Sequence, residues 1–140
     1  AIASGDQLLC FGKREGNFLE PTVLTDVKPE MKVVCEETFA PIVTVESFVD
    51  LDEAIAKFNE GSRLGSYDYG LACGAFTEDL RKAWEAIEGL EVGNVFINDS
   101  ATFRADQMPY GGVKESGLGR EGPRFAIEEM TEIKMVSFSL

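Results

Sequence analysis

The sequence predicts an α/β fold built on a parallel sheet, and three observations carry that expectation. Apolar runs of strand length alternate with amphipathic helical stretches. Each helical stretch opens beside a residue able to cap it and the first two close on glycine. The crossovers between strands are long enough for parallel, right-handed connections.

The first strand of the pattern is "PIVTVESFV", residues 41–49, β-branched and apolar throughout, which reads as buried. A helix follows from Asp50, whose carboxylate caps the first turn while Glu53 occupies the capping-box position. Leu51, Ala54, Ile55 and Phe58 form its apolar face, and Gly61 ends it. The second strand is "GLACGAF", residues 70–76. Thr77 then caps a helix with Leu80, Ala83, Trp84 and Ile87 on its inner face and Gly89 at its end. "NVFIN", residues 94–98, is the third strand. Pro123 suits the first turn of a last helix bearing Phe125, Ala126 and Met130. The chain closes on "TEIKMVSFSL", where Val136, Phe138 and Leu140 alternate with serines as in a strand. Three parallel strands make a thin sheet with exposed edges, which calls for cover by neighbours. No internal repeat or low-complexity tract interrupts the pattern.

Composition limits what these elements can do. With 140 residues, 44% of them apolar and 27% charged, the chain fits one globular domain. No apolar run approaches the roughly 20 residues of a bilayer span, and the first residues lack a signal pattern, so no membrane is expected. Formal charge of -12, from 25 acidic and 13 basic residues, argues against nucleic acid as a partner. Histidine is absent, which removes Ser-His and Cys-His dyads and most zinc sites, and no metal is expected. Cys10, Cys35 and Cys73 are odd in number and widely spaced, so neither a disulfide framework nor a metal clamp is indicated. Each reads as a small buried hydrophobe in a reducing, cytoplasmic setting.

"YGGVKESGLGREG", residues 110–122, contains the G-x-G-x-x-G spacing of a dinucleotide-binding turn at Gly117, Gly119 and Gly122. That turn needs a buried strand running into its first glycine and an acidic residue about 20 positions beyond the last. Here the preceding residues are Gly-Gly-Val-Lys-Glu-Ser, and the chain stops too soon. The match is accidental. The glycines allow positive φ and close backbone approach, to a neighbouring segment or to a ligand.

"PYGGVKESGLGREG" also resembles the P-F-G-G-x-K-x-S-G-x-G-R-E-x-G signature near the C-terminus of the NAD(P)-dependent aldehyde dehydrogenases. "GNFLEPTVLTDVKPEM", "EETFAPIVTVESF", "YGLACGAFTEDL" and "GNVFIND" are similar to further stretches of that family, in the same order. The resemblance implies a three-layer catalytic-domain fold with a parallel sheet, represented by its C-terminal portion at residues 1–130 and an oligomerisation strand at 131–140. The chain opens on "AIASGDQLLCFG", inside ordinary domain sequence, so a truncated polypeptide is expected, with the cofactor domain and the catalytic cysteine upstream. None of the three cysteines resembles the nucleophile, and Cys73 stands where the family has alanine.

The resemblance assigns site residues. Glu37 matches the glutamate that accepts hydrogen bonds from the nicotinamide ribose of NAD or NADP, and Phe39 the aromatic beside it. The two oxygens of a carboxylate suit a diol. On its own, the Glu36–Glu37 pair also reads as a solvated prelude to a strand. Ala40 replaces the family's glycine there. Glu121 matches the glutamate of G-R-E near the active site, a supporting acid-base group, and equally reads as a carboxylate favoured at a helix N-terminus. "DSATFRADQMPY" resembles the segment lining the aldehyde tunnel, so Phe103, Arg104 and Tyr110 would face the substrate. Arg104 is expected to recognise an anionic aldehyde such as a semialdehyde or a phosphorylated one. Glu132 resembles a glutamate of structural ion pairs near a subunit contact, with the last strand extending a neighbour's sheet into a homodimer or homotetramer. "NEGSRLGSYDYGL" is longer than the family's link and implies an enlarged surface turn.

Two function classes follow. One is a piece of an aldehyde dehydrogenase that oxidises an aldehyde to a carboxylic acid through a cysteine thiohemiacetal, inert without its nucleophile. The other is a non-catalytic truncated paralogue that acts as an interaction module through its terminal strand.

Overall fold

A computed structural model describes residues 7–10, 12–61 and 68–140. The expected enlarged turn is centred on residues 62–67 and lies outside the described residues. The elements run β1 (Gln7–Cys10), β2 (Arg14–Glu15), β3 (Phe18–Leu19), β4 (Thr22–Thr25), α1 (Lys32–Cys35), β5 (Ile42–Thr44), α2 (Leu51–Gly61), β6 (Tyr69–Gly70), β7 (Ala72–Ala75), α3 (Leu80–Gly89), β8 (Asn94–Ile97), β9 (Val113–Lys114) and α4 (Pro123–Glu129). The class is α/β, as expected.

The sheet is where expectation and structure part. In place of one parallel sheet there are several small ones of mixed direction. β4 is central to a three-stranded sheet in the order β1-β4-β5, antiparallel to β1 and parallel to β5. β7 and β8 pair in parallel from Ala72 opposite Asn94 to Ala75 opposite Ile97, and α3 is their crossover. β6 pairs antiparallel with β9. The pattern of strand, helix, strand is therefore realised by β7-α3-β8. β5 and β7, across α2, do not pair with each other among the described residues. β1 to β4 lack the long alternating runs that signal strands and were not anticipated.

Helix ends follow local chemistry. Glu53 N–H donates to Asp50 Oδ1 at 2.9 Å, and Val49 N–H donates to Glu53 Oε2 at 2.6 Å, so the expected cap of α2 is present. In α3 the cap is Asp79 rather than Thr77: Arg81 N–H donates to Asp79 Oδ1 at 2.8 Å. Thr77 Oγ1 instead accepts from Asp79 N–H, and this threonine turn sets the carboxylate in place. Pro123 is at the first position of α4, as read from the sequence, and Gly122 before it has a φ of 109°. A side chain at that angle would be strained.

The core is small. Leu24, Ala83 and Ala86 are the buried apolar residues of the described part, with Thr22 beside them. The inner face of α3 is thus its alanines, and Leu80 and Trp84, expected inside, are 74% and 56% exposed. β5 was expected to be buried, yet Val43 is 53% exposed and Val49 beyond it 90%. Accessible surface totals 10753 Å², against roughly 7,000 Å² for a compact monomer of this mass. The apolar faces are real, but this chain does not cover them. Residues 131–140, expected as a strand, carry neither helix nor strand and are exposed throughout.

Two helices are tied by one side chain. Asn59 on α2 donates through Nδ2 to Gly89 O at 2.8 Å, and its Oδ1 accepts from Glu91 N–H at 3.0 Å. This fixes the end of α3 against α2 and, through β8, sets where the next loop begins.

Candidate active site

The loop over residues 110–122 is held almost wholly by polar contacts. Asn94, at the start of β8, donates through Nδ2 to Leu71 O at 3.1 Å and to Gly111 O at 2.8 Å. Arg120 Nη1 donates to Gly112 O and Gly119 O, each at 2.7 Å, and Arg120 N–H to Glu129 Oε1 on α4 at 2.9 Å. Lys114 Nζ lies 2.7 Å from Glu91 Oε2 and 3.0 Å from Asp68 Oδ1. Burial disfavours the Lys114 charge, but these two hydrogen bonds outweigh it and hold the ammonium above its usual range. Glycine is required here for proximity: a Cβ on Gly93 would collide with the carbonyl of Gly111. The reading of the glycines as permitting close approach is correct. The segment is a folded connector between β9 and α4, with no strand running directly into Gly117.

Within this frame three of the expected residues meet. Tyr110 and Glu121 form an antiparallel bridge, with Glu121 N–H donating to Tyr110 O at 2.6 Å. Arg104, arriving from the preceding loop, lays its guanidinium 4.1 Å from the centroid of the Tyr110 ring. Its Nη2 pairs with Glu121 Oε2. The Glu121 carboxylate is therefore an ion-pair partner rather than a simple helix-end charge. Phe103, next to Arg104 in the chain, sets its ring edge-on to Phe96 of β8, with the centroids 6.0 Å apart.

Glu37 joins this group through a residue that sequence reasoning passed over. Tyr69 Oη donates to Glu37 Oε1 at 3.4 Å. Burial first, then the charge of Glu37 and its hydrogen bond, and last the nearby Tyr110, push the Tyr69 phenol up. A tyrosine quoted only as part of a Y-G-L resemblance thus links the expected cofactor side to the expected substrate side. Phe39 stays apart, 90% exposed, bordering a groove with Arg14, Asn17, Phe18 and Pro41. Burial pushes the Cys73 thiol up and leaves it a poor nucleophile, in keeping with a packing role on β7. Cys10, Cys35 and Cys73 are all free and only partly buried. Among the described residues no cluster of metal-ligating side chains occurs. None of their helices is long and apolar enough to cross a membrane.

The sequence pattern of the aldehyde dehydrogenase family matches residues 1–136. The chain belongs to this family. It is 45% identical over 140 residues to a 3-sulfolactaldehyde dehydrogenase of Priestia aryabhattai, covering all of this chain and 28% of that one. Among solved structures it is similar to aldehyde dehydrogenase 21 of Physcomitrella patens in complex with the reaction product succinate. There the TM-score is 0.86 at 45% identity, over 94% of this chain and 26% of that one. A glyceraldehyde-3-phosphate dehydrogenase of Methanocaldococcus jannaschii, complexed with NADP, gives 0.83 at 43% identity, over 96% and 28%. The chain spans little more than a quarter of the length of these family members.

Proposed function

We propose that the chain is the C-terminal part of the catalytic domain of an NAD(P)-dependent aldehyde dehydrogenase, residues 1–130, followed by an oligomerisation strand at 131–140. The complete enzyme oxidises a small anionic aldehyde to a carboxylic acid. Its nucleophilic cysteine, to which the aldehyde adds as a thiohemiacetal, lies upstream. One observation carries this reading: Arg104, Tyr110 and Glu121 converge on one wall, and Tyr69, which hydrogen-bonds Glu37, lies within electrostatic reach of Tyr110.

The donor chemistry suits a nicotinamide ribose. Glu37 is exposed, its Oε1 takes one hydrogen bond, and its Oε2 has no partner among the described residues. That oxygen is free to accept from a ribose hydroxyl. The nicotinamide, when bound, supplies the hydride acceptor. The chain's own part is to orient and to bind. Glu37 and Phe39 face the cofactor, and Tyr110 and Phe103 bound the aldehyde. Arg104 presents guanidinium donors that can serve Glu121 and an anionic group at once. Loss of hydride to the nicotinamide would leave the thiohemiacetal carbon as a thioester, and Glu121, held by Arg104, supports proton transfer from the water that then hydrolyses it to the carboxylic acid and the free thiol. A sulfonated aldehyde, a succinate product and a phosphorylated aldehyde in the names of its relatives all fit an arginine in that wall.

The residues 131–140, exposed and unpaired in this chain, are the edge-strand donor of a homodimer or homotetramer. The setting is cytoplasmic.

The test is kinetic. In the complete enzyme, Arg104→Ala should lower kcat/KM for anionic aldehydes roughly ten- to hundredfold more than for neutral ones, the scale of one charge-assisted hydrogen-bonded pair, with the loss common to both classes reporting the loosened Glu121. An equal loss for both classes removes Arg104 from substrate recognition. The 140-residue chain alone should form no reduced nicotinamide with any aldehyde. Turnover by it would place the nucleophile inside this sequence and overturn the reading.

A further inference from the structure

Tyr69 hydrogen-bonds Glu37 on the proposed cofactor side and lies close enough to Tyr110, on the proposed substrate side, to be felt electrostatically. Its backbone is fixed by the β6–β9 pairing, where Tyr69 stands opposite Lys114, and Lys114 is anchored by Asp68 and Glu91. The phenol is partly buried. Glu37 has no such support: it lies in the link between α1 and β5, with neither helix nor strand around it. A long carboxylate side chain on irregular backbone samples several rotamers, and ordering it on binding costs about 1 kcal/mol or more.

We propose that Tyr69 is a positioning residue for the cofactor, its hydroxyl holding Glu37 Oε1 so that Oε2 is presented to the ribose hydroxyls. The inference rests on the reading of Glu37 as the ribose acceptor. A phenol suits the task better than a cation would, because it orients the carboxylate without neutralising the charge that makes it a strong acceptor. Burial and the Glu37 charge keep the hydroxyl protonated at neutral pH, so it remains a donor there. Tyr110 lies near enough to Tyr69 to be felt electrostatically.

The experiment is a direct titration of cofactor, by calorimetry, into the complete enzyme and three variants: Tyr69→Phe, Glu37→Ala and the double variant. Tyr69→Phe keeps the ring and removes one hydrogen bond, so its cofactor Kd should rise about three- to tenfold. The aldehyde KM should stay within twofold of its original value. Glu37→Ala, which leaves no acceptor for the hydroxyl, should also raise the Kd, and the double variant should bind no more weakly than Glu37→Ala alone, because the hydroxyl acts through that carboxylate. A general packing role for Tyr69 would instead add its loss to that of Glu37→Ala. If Glu37→Ala raises the Kd while Tyr69→Phe leaves it unchanged, or the two losses add, the positioning role is wrong and the ribose reading stands. If Glu37→Ala leaves the Kd unchanged, the ribose reading falls, and the positioning role falls with it.

Discussion

The loop over residues 110–122 and the segment over residues 36–49 each carry part of the candidate site, and they are held in opposite ways. The loop is secured by directed polar contacts from inside this chain: Asn94, Lys114 and Arg120 each bind two acceptors, and Tyr110 and Glu121 close a bridge. The earlier segment has a three-residue strand, a capping contact at its end and a row of exposed apolar side chains that includes Phe39, Val43, Phe48 and Val49. Polar anchoring is local and needs few atoms, whereas apolar anchoring needs area on both sides. The wall proposed for the aldehyde is therefore shaped by the chain's own polar contacts, and the wall proposed for the cofactor carries apolar side chains that stand exposed.

Mutations can break that contrast, beginning with the largest effect. Gly93→Ala forces a Cβ into the carbonyl of Gly111, backbone against backbone with no flexible end to yield. It should destabilise the protein by about 3 kcal/mol, read from its urea midpoint, or abolish soluble expression. Asn94→Ala strips a donor from Leu71 O and Gly111 O together, and should cost about 1–3 kcal/mol by the same measurement. A change near zero for either would mean that the loop is held from elsewhere.

Asp79→Ala removes the cap of α3 and should cost about 1 kcal/mol, since Arg81 N–H loses its acceptor. Phe39→Ala sharpens the contrast from the other side: an exposed ring should shift stability by less than about 0.5 kcal/mol. Cofactor affinity measured by calorimetry should nonetheless fall. A large stability loss in this chain alone would show that the ring is covered after all.

The smallest effect is electrostatic. The backbone hydrogen bond from Val49, then the one from Lys57, hold the Glu53 carboxyl below its ordinary 4.5. A depressed carboxyl contributes stability above its unfolded value and loses it as pH falls through the folded value. Acidification below about pH 4.5 should loosen the entry to α2, seen as a fall in the hydrogen-exchange protection factor of Val49, measured against the intrinsic rate at each pH, while those of Gly111 and Glu121 hold.

Capping patterns were legible from single residues: Asp50 with Glu53, and Pro123 at the head of α4, act as their spacing implies because these contacts span only a few positions. Thr77 was misread for Asp79 because two candidate caps lie two residues apart and only backbone geometry chooses between them. Arg104 and Glu121 were singled out separately, and their pairing across 17 positions could not be read from either. Tyr69 was missed because a tyrosine on a short strand carries no signal until its partner, 32 residues earlier, is beside it.

By itself the sequence determined the α/β alternation, the starts of α2 and α4, the absence of histidine chemistry and the kinship of the glycine-rich signature, all of which depend on residue type and near neighbours. Only the tertiary structure decided which strands pair, that alanines rather than Leu80 and Trp84 line the inner face of α3, that Arg104, Tyr110 and Glu121 meet, and that Tyr69 bonds Glu37. Pairing and convergence join residues far apart in the chain, and they are fixed by packing and hydrogen-bond geometry that no local pattern encodes.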